Sequence, residues 1–100
     1  MDRADTRANN GVEAASAHDW PEAIRQLNEA IAACGDCAAI ADLHRKLGII
    51  ECQAGELDNG ERELLAAKAL KPADPVTQAA LELVARARSQ HPASATGKPD

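Results

Sequence analysis

Residues Leu47–Asp74, LGIIECQAGELDNGERELLAAKALKPAD, read as one helical hairpin. A Leu-Gly pair stands on a first helix, Gly55-Glu56 makes the turn, a second apolar-periodic helix follows, and Pro72 closes the unit. The same landmarks recur upstream: Gly11, Trp20, Leu27, Ala30 and Gly35 lie 37 residues before Gly48, Leu57, Leu64, Ala67 and Pro72. The Leu47-Gly48 pair has a further echo 34 residues on, at Leu81-Glu82. A period in this range marks stacked helical units, none of which can bury its apolar face alone. An all-α repeat protein is therefore expected.

Outward from this hairpin, the spacing predicts five helices. The first spans Ala4 to Ala17, an Ala-rich stretch whose only large aliphatic residue is Val12. Asp19-Trp20-Pro21-Glu22 supplies a capping side chain, a proline in the first turn and a favourably placed carboxylate, so a second helix starts there and ends at Gly35-Asp36. Ile24, Leu27 and Ile31 form its apolar face. The third helix runs from about Ala38 to Ala54 with Ile40, Leu43, Leu47 and Ile50 as its buried stripe, and Asp42 and Lys46 as an i,i+4 pair. The fourth, Leu57 to Leu70, buries Leu64, Ala67 and Leu70. Asp74-Pro75 opens the fifth, Pro75 to Gln90, with Leu81 and Val84 on one face. Residues 1–91 thus make one helical domain, frayed over its first three residues, and the small polar segment 92–100 is an expected disordered tail.

Over roughly residues 4–90 this order of landmarks resembles the tetratricopeptide repeat family, whose 34-residue unit is a helix pair with a Leu-Gly step and a closing Pro. Leu47, Gly48, Gly55, Leu64, Ala67 and Pro72 carry the likeness, with Gly11, Ala23, Leu27 and Ala30 in the upstream unit; Gly60 stands where the family usually has Ala. The resemblance implies two hairpins and a C-terminal capping helix in a short α-solenoid. It also implies a non-enzymatic adaptor that takes a protein or peptide in a groove lined by the first helix of each hairpin. On this chain that surface maps to Asp42, Arg45, Ile49, Cys52 and Gln53, with Asn9, Val12 and Ser16 from the first hairpin. Family members that grip a terminal carboxylate use Lys and Asn. The matching positions here, Ala8, Val12, Arg45, Lys46 and Ile49, keep only part of such a clamp, so that activity is not expected. Two and a half repeats are few for independent stability, which leaves open a self-associating module or a fragment of a longer array.

The chain has 100 residues, 45% of them hydrophobic, yet Trp20 is its single aromatic residue, so its core must be built from Ala and aliphatic side chains. The net charge of −5 with no Lys/Arg stripe argues against a nucleic-acid partner. No stretch is apolar and long enough to span a membrane, and MDRADTRANN is no signal peptide, so a cytoplasmic location is expected unless the chain was excised from an exported parent.

Chemistry is hard to find. Cys34-Gly35-Asp36-Cys37 is the sharpest local motif, and the interval Ala30–Leu47 that holds it is 17 residues against 14 for Ala67–Leu81. Incidental structural thiols, a local Cys34–Cys37 disulfide or redox switch, and a metal site with His44 are the three readings. The last is weakened because Cys52, the remaining ligand, lies eight residues beyond His44, about 12 Å along a helix. No serine triad, phosphate loop or paired catalytic carboxylate is present; His18, His44 and His91 are isolated. No enzyme activity, cofactor or metal is expected.

Overall fold

A computed structural model describes residues 3–90, which form α1 (Arg3–Ser16), α2 (Trp20–Cys34), α3 (Ile40–Gln53), α4 (Leu57–Leu70) and α5 (Pro75–Gln90), with no strand among the described residues. Residues 1 and 2, the domain boundary at residue 91 and the tail 92–100 lie outside the described residues.

Local chemistry fixes the helix ends. The Asp19 side chain accepts the Glu22 amide at 3.4 Å, and Pro21 fits the first turn of α2, where no amide is needed. The Asp74 carboxylate accepts the Val76 amide and the Thr77 hydroxyl, each at 3.0 Å, and starts α5. The two hairpin tips use one hydrogen-bond pattern. After α1, His18 N donates to Ala15 O at 2.9 Å and Asp19 N to Ala14 O at 2.9 Å. After α3, Gly55 N donates to Cys52 O at 3.1 Å and Glu56 N to Glu51 O at 2.8 Å. The left-handed residue at the centre of each is His18 (φ 62°) and Gly55 (φ 91°), 37 positions apart. The histidine takes on a strain of roughly 1 kcal/mol or more that the glycine avoids. Its ring lies 5.3 Å from that of Trp20.

The α2–α3 junction departs from expectation. Helix α3 begins at Ile40, two residues after the predicted Ala38, because 35–39 wind through successive tight turns. Cys37 N donates to Cys34 O and Ile40 N to Cys37 O, each at 3.1 Å, and a disulfide joins Cys34 to Cys37 across a Cα separation of 5.2 Å.

Helices α1 and α2 pair antiparallel, as do α3 and α4; α2 packs on α3, and α5 on α4 with a lighter touch on α3. The main core gathers Ala8, Ala23, Leu27, Ala30, Leu43, Leu47 and Ile50, with Trp20, Ile24, Ile31 and Cys34 packed against it. Leu64, Ala67, Thr77 and Val84 are buried on the α4–α5 side. Small residues set the spacing within the second pair: a Cβ on Gly48 would lie 2.8 Å from Leu64 Cγ and 2.9 Å from Gly60 O, and one on Gly60 would lie 2.8 Å from Gly48 O. The glycine at position 60 is therefore what lets α3 and α4 approach this closely. Leu70, expected in the core, is instead 52% exposed at the end of α4, where Lys68 and Ala69 are exposed beside it. Across the pairs, His44 Nδ1 meets Glu63 Oε1 at 2.5 Å, Arg7 pairs with Glu29, and Arg88 bonds Asp58 at 2.6 Å and Glu61 at 3.0 Å. Such half-exposed pairs contribute at most about 1 kcal/mol each and mainly fix register.

Candidate functional site

Helix α3 is central to the fold, and two of the molecule's hollows share its side chains. Ile49 and Gln53 stand one turn apart and line both of two adjoining hollows. One, about 340 Å³, lies between α1 and α3 and is bordered by Val12, Ala15, Ser16, His18, Trp20, Lys46 and Ile50. The other, about 390 Å³, lies between α3 and α5 and adds Cys52, Leu57, Leu64, Val76, Ala79, Ala80, Leu83, Val84 and Ala87. Together they form a trough that runs from α1 across α3 to α5. Its α3–α5 half is almost wholly apolar, and its α1–α3 half is mixed. No Asp or Glu lines either half, in a chain with 16 of them. Lys46, the only Lys or Arg in the lining, has no ion-pair partner among the described residues. The expected Asp42–Lys46 pair does not form: Asp42 instead meets Arg45 at 3.4 Å and Lys71 at 3.7 Å.

Of the eight residues expected on a binding groove, the trough brings five together: Val12 and Ser16 from α1, and Ile49, Cys52 and Gln53 from α3. Three fall elsewhere. Asn9 is exposed on α1 and lines neither hollow. Asp42 and Arg45 border a separate depression with Lys71, Pro72, Ala73, Asp74 and Val76. The Arg45 guanidinium lies 3.6 Å from Asp74, and its side chain is only 20% exposed, so it anchors the start of α5 instead of projecting outward. Desolvation pushes the Asp74 carboxyl up, but the Val76 amide, the Thr77 hydroxyl and the Arg45 charge together hold it below the usual carboxylate range.

The α5 wall is what sequence reasoning missed. Val76, Ala80, Leu83 and Ala87 follow one another at helical spacing, a second apolar stripe beside the Leu81/Val84 face. Val76 is 47% and Leu83 60% exposed; with Val12 at 43% they form the open apolar surface of the trough.

The thiols divide into two kinds. Cys34 and Cys37 are bonded to each other, while Cys52 is free and half-buried against Gly60. Burial, with Glu51 and Glu61 nearby, pushes the Cys52 thiol up against a smaller pull from Arg88, which keeps it protonated at neutral pH. Among the described residues no three metal-ligating side chains are grouped, and no helix is long and apolar enough to cross a membrane. Comparisons with protein-family models, curated proteins and solved structures find no match to this chain.

Proposed function

We propose that this chain is a tetratricopeptide-like adaptor without chemistry of its own, which holds an extended or helical segment of another protein in the α1–α3–α5 trough. The observation that carries the reading is the trough itself: α3 contributes Ile49 and Gln53 to both halves, and Val12, Val76 and Leu83 leave apolar surface open along it. Clustered exposed aliphatic side chains mark an interaction surface, where single scattered ones do not. The 37-residue step supports the repeat reading beyond sequence, since it relates both the hairpin tips (His18, Gly55) and the small-residue contacts between paired helices (Gly11 against Ala23, Gly48 against Gly60).

The face of α5 that would receive a further helix is unlike that of α3. Leu81-Glu82 stands at the place of Leu47-Gly48, so Glu82 occupies the position where α3 needs glycine to receive α4. Gln78, Glu82 and Arg86, one turn apart, make that face of α5 exposed and polar, the kind of surface that ends a stack.

Peptides selected from a displayed library on the intact chain, with affinities measured by fluorescence anisotropy, test this. Val12→Asp and Leu83→Asp change side chains that are already about half exposed, so the fold should persist; each should weaken binding at least tenfold. Leu65→Asp on α4, also half exposed but outside the trough, should leave binding unchanged. Equal binding by all three variants would remove the trough as the site.

A further inference from the structure

We propose that Cys34 and Cys37 form an exchange site for an external dithiol, and that their bond sets the opening of the α1–α3 half of the trough. Two observations meet here. The bonded pair lies in the only covalent connection between the first and second hairpins: Cys34 ends α2, and Cys37 stands in the turns that lead to α3 at Ile40. The α1–α3 half is walled by side chains from both hairpins, Val12, Ser16 and Trp20 on one and Lys46, Ile49 and Gln53 on the other. Its shape therefore depends on how the hairpins are set against each other. The α3–α5 half does not share that dependence, because Arg45 and the Asp74 cap hold its junction.

The junction is built for access and for leverage. Gly35, Asp36 and Ala38 are exposed, and Cys34 and Cys37 are each partly so. Because α2 runs from Trp20 to Cys34, the trough end of the helix is about 21 Å from the junction, and a 5° swing there moves Trp20 by about 2 Å. Cys34 also packs against the main core, so a change at its sulfur reaches the α2–α3 interface directly.

The step balances with a dithiol as the reductant. One thiolate of the dithiol attacks a sulfur of the Cys34–Cys37 bond, forms a mixed disulfide and expels the other sulfur. The second thiol of the reagent then releases the first, leaving a disulfide on the reagent and two protonated cysteines on the protein. Two electrons pass to the protein, and the reverse reaction with an oxidised dithiol restores the bond. Cys52 does not compete, since it stands at the end of α3 remote from the junction and its half-buried thiol is pushed up by burial. The inference does not require the trough to bind a peptide.

The test uses the full chain treated under native conditions with oxidised or reduced dithiothreitol, then unfolded in guanidinium chloride, alkylated and weighed. One adduct, on Cys52, is expected from the oxidised form and three from the reduced form, with return to one on reoxidation. Trp20, the single tryptophan, reports the trough: its acrylamide quenching should rise on reduction, and a Cys34→Ser, Cys37→Ser variant should show the reduced value in either buffer. Three adducts after oxidation, one after reduction, or identical Trp20 quenching of the two wild-type forms would each overturn the proposal. The wild-type comparison stands even if the double variant folds poorly.

Discussion

Glu51 is 6% exposed, and its Oε1 has no hydrogen-bond partner among the described residues. Burial first, then the neighbouring Glu63 and Glu56 charges, push its carboxyl from the ordinary 4.5 up to about 7, against a smaller pull from Arg62. An acid raised in this way adds no ionisation penalty while it is protonated in both states, and that penalty is greatest once it must be ionised in the native state. Stability should therefore fall as pH rises from about 4.5 to about 7, and Glu51→Gln should recover it. We expect the variant to be more stable than wild type by up to about 3 kcal/mol at pH 8 and equal to it near pH 4. Urea unfolding of both proteins at the two pH values checks this; a difference independent of pH would mean that the charge is not the cause. Nothing in the sequence marks Glu51 out, since it reads as one more polar residue near a helix end. It is buried because it lies one turn beyond Gly48, where α4 comes closest. Arg45 misled in the opposite sense. Periodicity puts it on an open face, and only a neighbour 29 positions away, Asp74, turns it inward.

Among the elements, the second hairpin depends most on small side chains. Gly48→Ala gains about 1 kcal/mol of helix propensity but drives a methyl group to 2.9 Å from the Gly60 backbone oxygen, which cannot rotate away. The α3–α4 spacing must then widen, and we expect a net loss of about 1–3 kcal/mol by thermal unfolding. A neutral or stabilising outcome would show that the two helices have slack. Element boundaries were the most legible feature of the chain, because their causes are local: Asp19 with Pro21, Gly55, and Asp74 with Pro75 each act within one turn. The start of α3 was not, since the turns between Cys34 and Ile40 consume residues that composition alone would give to the helix. The outward stripe on α5 was present in the spacing of Val76, Ala80, Leu83 and Ala87. It was overshadowed by Leu81 and Val84, which fit the expected buried face.

At the scale of the whole molecule, stability should be graded. Helix α5 touches the rest chiefly through α4 and is held by Arg45–Asp74 and Arg88 with Asp58 and Glu61, whereas α2 and α3 share the main core. Local opening free energies follow such differences in packing. Amide hydrogen exchange should accordingly find α5 opening first, with its amides at least about tenfold less protected than those of α3 around Leu43–Ile50. Uniform protection across both helices would indicate a single cooperative unit. The acid-free lining of the trough also bears on encounter. With a net charge of −5, the molecule presents a mainly anionic exterior, and at physiological salt that field reaches only about 8 Å. Cationic molecules are thus gathered on the outer faces, away from a trough that holds one unpaired ammonium, and what lodges between α1 and α5 is chosen by fit at contact and not by attraction from afar. Raising the salt concentration clears the outer decoys and leaves the trough as it was.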